Sequence, residues 1–584
     1  MVQHSFQLPQ TVIAHHKQCD ILVDMYKNAE QLWQLFELQG LIERIQSIPQ
    51  LGPIRVKPKY SLTRYDYMFV QLYLHQLVRT TPKIELRYTY GSELKAKDIP
   101  CEYQIALPEK FTIADAIQMM IILCNIGHFA NTFTASRAIL LYMHKHQNIQ
   151  TQFLQQFAHK HIQDAARNMI EYYEYDNWHL LNTYLLLQSI PMDEALKQMS
   201  ICLLQARLAP HTVPQNSRLA YVVELFELIR GLAYVTYDLK STEMALSIDL
   251  YNTNEIQTLL YELLTQYNNT TQPRAIVTSA QKLLSDTVYN NPYNGLQYYI
   301  ISQKICADIE KSCMDKDYMD LFHETCSPAN RSYHMTNDFS QDNILKLTFN
   351  QKEFLVFKKL LTTLSHTEHI RFGYYTRAEN THTILVSIKD NAKEPIKVAS
   401  KILSIVVSAM NNKSLLNDAS IKMDDTRYLL VTKFFLKVIF SGYRLDINPT
   451  INQNCVFCAR GNKAKEKKLQ DLLHQSIGDK DQNHEVEFMR HILSKDDTRD
   501  TSVLVPASIL IRKENNNEQV KEFDGLIIHP MRDRIVFLEA KNTKSSKQAA
   551  KKLKEKLHRF SLAPHAQIQT HHHDAYVETL ISQL

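Results

Sequence analysis

The chain has 584 residues, 45% of them hydrophobic and 22% charged, with a formal net charge of +5. That length exceeds what one hydrophobic core serves, and the composition is ordinary for a globular protein, which excludes disordered and fibrous classes. Only 11 glycines are present and no two lie within six positions of each other, so neither a phosphate-cradling P-loop nor a Rossmann dinucleotide fingerprint can be written in it.

The chain begins MVQHSFQLPQ, without the basic start and apolar stretch of a secretory signal, so a cytoplasmic address is expected. No apolar run approaches the roughly 18 residues of a membrane span. Residues 116–124 are too few, and Lys433 and Lys437 interrupt residues 428–443. The 9 cysteines are scattered and odd in number, as expected of reduced thiols.

Residues 1–335 read as a mainly α-helical domain. Apolar side chains recur at three- and four-residue spacing over 113–126, 137–144, 180–190 and 219–237. No fixed-period repeat supports a solenoid. The polar stretches 268–273 and 326–343 read as loops, and the second is taken as the boundary. Residues 344–450 change to an α+β pattern, with strands expected over 345–349, 382–388 and 428–431 and a helix over 396–410. Residues 451–584 give the order helix (463–477), strands (502–512, 522–529, 534–542), basic helix (545–560) and a last short strand (576–581).

Charge is localised in that last segment. From Arg460 to Phe560 there are 22 basic and 16 acidic residues, and residues 544–559 hold seven basic residues against Glu555 alone. Such a face is the footprint of a phosphate-backbone binder, with Lys544, Lys547, Lys551 and Lys552 as the expected contacts; its bland alternative is a solvated helix face.

The sequence EFDGLIIHPMRDRIVFLEAKN, residues 522–542, carries the chemistry. If Pro530, Met531, Arg532 and Asp533 form a hairpin loop, His529 pairs with Arg534. Asp524 then falls opposite Glu539, about 5 Å away on one face. Lys541, two residues on, shares that face. Two carboxylates and an ammonium in an apolar strand pair are costly unless they hold an ion. Hard oxygen ligands suit Mg²⁺ (or Mn²⁺), with the Ala540 carbonyl as a further donor. The bland alternative is a surface ion pair on an edge hairpin.

This segment resembles the PD-(D/E)xK nuclease superfamily, in which a Glu-bearing helix precedes three strands with Asp on the second and E-x-K on the third. The match assigns Asp524, Glu539 and Lys541 as catalytic, Asp524, Glu539 and Ala540 as metal-binding, and Glu466 in GNKAKEKKLQDLLHQSI as the helical Glu. A hydrophobic residue, Phe523, stands where the family's Pro would precede the Asp. Glu466 also fits an ordinary surface charge pattern among Lys465, Lys467 and Lys468. Gln548 is a further polar candidate on the following helix. The resemblance implies an α/β restriction-endonuclease-like domain that hydrolyses phosphodiester bonds, expectedly of DNA, as a homodimer, with a helical regulatory region of the kind found in anti-phage defence.

Two other features stand apart. Cys455 and Cys458 have the spacing of half a zinc site, with no second pair following. In the helical half, LTRYDYMFVQLYLHQL (62–77) and IILCNIGHFANTF (121–133) resemble two motifs of HD-domain phosphohydrolases. Tyr67 stands at the first metal-ligand position and Cys124-Asn125 replaces the His-Asp pair, while Gly127 and His128 are retained. The resemblance implies a catalytically inactive HD-like domain that binds a nucleotide or a protein partner, or serves as a scaffold.

Overall fold

The computed structural model describes, in the main, residues 2–6, 21–53, 62–80, 91–100, 110–234, 291–312, 335–341, 343–365, 369–377, 381–392, 401–403, 425–439, 443–449, 458–459, 503–505, 507–513, 516–523, 525–529 and 534–538. The chain forms two compact units, Met1–Thr336 with Tyr375–Glu379, and Asn337–Tyr374 with Asn380–Leu584.

The first unit is mainly helical. A two-stranded antiparallel ribbon, β1 (Val2–Phe6) and β2 (Ile21–Met25), precedes α1 (Lys27–Leu38), α2 (Leu41–Gln46), α3 (Arg64–Thr80), α4 (Ile113–Ile126) and α5 (Thr132–Lys145). There follow α6 (Gln147–Gln155), α7 (Lys160–Tyr172), α8 (Trp178–Ser189), α9 (Glu194–Leu208), α10 (Arg218–Ala233) and α11 (Pro292–Ser312).

Helix α4 is the axis of this unit. Its sequence IADAIQMMIILCNI is apolar on every side, and all of its residues are buried, the expected fate of a helix without a polar face. It packs against α1, α3, α8, α9 and α10. Thr112 caps it by accepting from the Asp115 backbone N–H at 3.2 Å.

Burial obliges each polar group on α4 to find a partner inside the protein. Asp115 accepts from the backbone N–H groups of Asn28 at 3.3 Å and Ala29 at 2.9 Å. It thereby supplies from another helix the N-terminal cap that α1 lacks at Tyr26. Gln118 accepts from the Tyr26 N–H at 2.9 Å and donates to the Asp24 carbonyl at 2.7 Å, fixing the turn from β2 into α1. Asn125 donates to Gln71 of α3 and to the Ile121 carbonyl, both at 2.8 Å.

The end of α4 meets the start of α8 without room for a methyl group. A Cβ on Gly127 would lie 2.1 Å from the His179 carbonyl oxygen and 2.7 Å from the Thr183 N. Gly127→Ala should therefore destabilise the protein by about 1–3 kcal/mol through overpacking of main chain, read as a lower urea midpoint; an unchanged midpoint would show that α8 can move away.

Among its described residues the second unit combines helices with three sheets. The first sheet has the order β3 (Ile344–Phe349), β5 (Thr381–Ile388), β4 (Ile370–Arg377), with α12 (Gln351–Ser365) packed on β3 and β5. α12 begins with a reciprocal cap: Asn350 Oδ1 accepts from the Glu353 N–H and Glu353 Oε2 from the Asn350 N–H, each at 3.0 Å. Arg427 pairs with the buried Glu353 carboxylate at 3.0 Å.

Residues 428–431, expected as a strand, lie instead in α13 (Asp425–Ile439). The segment is rich in β-branched and aromatic residues, but its buried positions Val431, Phe434 and Phe435 recur at helical spacing. A four-residue apolar run cannot distinguish the two periods; the longer window does. Described positions of the expected helix over 396–410, namely 398, 399 and 401–403, are helical.

The other sheets are β10–β9–β6 and β12–β11–β8–β7, built from β6 (Tyr443–Pro449), β7 (Cys458–Ala459), β8 (Val503–Val505), β9 (Ala507–Lys513), β10 (Gln519–Phe523), β11 (Gly525–His529) and β12 (Arg534–Leu538). The expected strands 502–512 and 522–529 are each divided between these sheets. Phe523 pairs with Ile509 in one sheet and Leu526 with Val505 in the other. Three residues of sequence separate the rungs on one side and two on the other; the first of the three is Pro506, which has no N–H to donate to a ladder. β6 and β9 pair from Tyr443↔Lys513 to Pro449↔Ala507, so the expected segments 344–450 and 451–584 share a sheet.

Candidate functional site

Asp524, Glu539, Ala540, Lys541, Glu466 and the basic Lys544, Lys547, Lys551 and Lys552 lie outside the described residues, as do Cys455 and Gln548. The structure supplies the frame that precedes them. β11 and β12 pair antiparallel from His529↔Arg534 through Ile527↔Val536 to Gly525↔Leu538, the register required by a loop of residues 530–533. Asp524 and Glu539 are the next residues in sequence beyond the last rung. Ile527 is fully buried, and β8 pairs with the other edge of β11, so β11 is the middle strand of an antiparallel trio. Cys458 pairs with Leu504 in the β7–β8 ladder. Among the described residues no group of three or more His, Cys, Asp and Glu is placed to hold a metal ion.

In the helical unit, both segments that carry the HD-like motifs are described, and the helices bearing them, α3 and α4, pack together. Tyr67 is buried, with its hydroxyl donating to the Arg230 carbonyl at 3.3 Å and its ring 5.3 Å from that of Tyr234. Burial pushes the Cys124 thiol up to about 12, against the opposing pull of Arg207 and Arg230, so at neutral pH it is a protonated, poor metal ligand. The Asn125 amide is engaged with Gln71 and Ile121. These positions are therefore built for packing and hydrogen bonding, not for a hard divalent cation.

His128 has a different setting. Its ring stacks on that of His179 from α8, centroids 4.1 Å apart and 9° from parallel, and Phe133 meets it edge-on at 5.6 Å. Arg44 donates to the carbonyls of Ile126 and His128, Asn182 to that of Gly127 at 2.9 Å, and Thr183 to that of Leu123 at 2.9 Å. The orphan carbonyls at the end of α4 are thus satisfied by side chains from α2 and α8. Asn182 is held by Tyr318, which accepts in turn from the Trp178 indole at 2.8 Å.

Around this pair stand several cations. Arg64, the first residue of α3, is 2% exposed and its Cζ lies 5.4 Å from the Phe133 ring and 5.9 Å from the Tyr67 ring. Arg207 and Arg230 share the Glu227 carboxylate, at 2.9 and 3.2 Å. His179, Arg207, Glu227 and Arg230 lie far along the chain in no local motif, so sequence alone gives no signal that joins them to His128.

Comparisons of the chain with protein-family models, curated proteins and solved structures found no match. Among the described residues no helix is long and apolar enough to cross a membrane.

The buried rings have a pH consequence. Burial lowers His128 well below the ordinary imidazole range, with Arg64, His179 and Arg44 acting in the same sense. Burial does the same to His179, helped by Arg64, Arg230 and Arg207, and takes His75 down to about 3. In the unfolded chain these groups bind protons below about pH 6.5, whereas the folded chain keeps them neutral to much lower pH. The unfolded state then binds more protons, so stability is complete above that value and falls as pH drops, by up to about 1.4 kcal/mol per pH unit for each ring. Urea midpoints measured at about pH 7.5, 6 and 5 should decline, and His128→Asn should flatten the decline. A pH-independent midpoint would contradict the burial of these rings.

Proposed function

We propose that the C-terminal segment is a Mg²⁺-dependent nuclease of the PD-(D/E)xK type, acting on DNA as a homodimer, with the helical unit as its regulatory or sensing part. The observation that carries this reading is the β11–β12 register, His529↔Arg534 to Gly525↔Leu538. It is the one ladder, among those differing by a single residue, that sets up Asp524 and Glu539 as successive partners; a one-residue slip would separate them by face. The antiparallel trio with β11 in the middle also agrees with an arrangement in which Asp belongs to the second strand and E-x-K to the third.

The donor set fits a hard divalent ion: two carboxylates, from Asp524 and Glu539, and the Ala540 carbonyl. Bound there, Mg²⁺ would lower the pKa of a water and polarise the scissile phosphate. Lys541 orients the attacking water and offsets charge on the pentavalent transition state. Glu466 would serve as the helical carboxylate of the catalytic set, and Lys544, Lys547, Lys551 and Lys552 would hold the nucleic-acid backbone through phosphate contacts.

Incubation of the full chain with plasmid DNA, single-stranded DNA and RNA, in Mg²⁺, Mn²⁺ or EDTA, tests the reading. Cutting should require the metal, and Lys541→Ala should reduce it by about a hundredfold or more, with the urea midpoint unchanged. Cleavage that persists in EDTA, or a fully active Lys541→Ala protein, would defeat the assignment.

A further inference from the structure

An amine and a thiol from two helices of the first unit meet at a single carboxylate oxygen. Lys145, the last residue of α5, donates from Nζ to Oε1 of Glu310 on α11 at 2.7 Å. The Cys306 thiol, one helical turn before Glu310, donates to that same oxygen at 3.9 Å. Spacing of i, i+4 puts thiol and carboxylate on one face of α11, and the packing of α5 against α11 brings the amine to them. Cys306 is buried and forms no disulfide, whereas the Lys145 and Glu310 side chains are 58% and 32% exposed. The carboxylate therefore leads from the buried sulfur towards solvent. Cys124 and Cys202 have other charged neighbours, Arg207, Arg230 and Glu227 for the first and Glu102 for the second.

We propose that Cys306 and Lys145 are the two ends of an oxidative cross-link, a sulfenamide that forms when hydrogen peroxide reaches the thiol and that fastens α5 to α11. In the first step sulfur attacks one peroxide oxygen, so that an S–O bond forms and the O–O bond breaks. The thiol is oxidised to a sulfenic acid and the peroxide is reduced to water. Burial pushes the Cys306 thiol up to about 11, with Lys145 pulling the other way, so sulfur starts protonated; Glu310 relays that proton to the departing hydroxide. In the second step the Lys145 nitrogen attacks the sulfenic sulfur, as nitrogen does in known sulfenamides, and the S–N bond forms as the S–O bond breaks. Of the three ammonium protons, one passes through Glu310 to solvent before the attack, one leaves with the sulfenic hydroxyl as water, and one stays on nitrogen. All three residues belong to the helical unit, so the outcome is independent of the nuclease reading.

The full chain is treated with hydrogen peroxide, digested without reductant and analysed by mass spectrometry. In the wild type the peptides that hold Lys145 and Cys306 should appear joined, lighter by two hydrogens than the separate pair, and dithiothreitol should part them. Lys145→Arg keeps a cation beside Glu310 but has no nucleophilic amine, and it should give no joined species. Unfolding the wild type in urea before oxidation should lower the yield by about tenfold or more, because only the fold holds amine and sulfur together. That comparison needs no variant, so it decides the matter should Lys145→Arg fail to fold. Cys306 found in the wild type only as the thiol or its oxygen acids, or joined to a residue other than Lys145, overturns the proposal. So does an undiminished yield in urea.

Discussion

Total burial of α4 is the constraint from which the helical unit follows. A helix apolar on every face must be surrounded, and α1, α3, α8, α9 and α10 surround it. Its few polar side chains then become fixed points, since each unpartnered group inside would cost about as much as a lost hydrogen bond. Asp115 caps α1, Gln118 fastens the β2–α1 turn, and Asn125 ties α4 to α3. The chain's scarcity of glycine gives weight to the one at the end of α4, where main chain approaches main chain too closely for any side chain.

The same burial creates the charged centre. By ending α4 against the start of α8, the fold stacks His128 on His179 and closes them away from water. Burial, with the neighbouring guanidinia acting in the same sense, keeps both imidazoles neutral, and Arg64 makes no ion pair among the described residues. Neutral rings beside guanidinium groups form an environment that disfavours metal cations. Tyr67, Cys124 and Asn125 are engaged in packing and hydrogen bonding, while Gly127 and His128 serve the junction of two helices.

In the second unit the governing feature is a break between two sheets. Strand pairs on either side of Pro506 and Asp524 keep antiparallel order but belong to different sheets. On the proposed reading the acidic residue stands at that break, where the apolar hairpin of β11 and β12 begins.

Local sequence determined a good deal here. The period of apolar residues located α4, α5, α8 and α10, alternation located β3 and β5, and the turn chemistry of residues 530–533 gave the register of β11 with β12. These are short-range properties, fixed by backbone period and turn geometry. Residues 428–431 misled because four apolar residues fit either period, and packing against β3 and β6 chose the helix. The division of two long strands between sheets and the joining of β6 to β9 were decided by pairings across some sixty residues. The cluster of Arg64, His128, His179, Arg207, Glu227 and Arg230 likewise exists only once the surrounding helices have closed on α4. Burial, which turns an ordinary arginine into an unanswered charge, is a property of the assembled core and of no stretch of sequence.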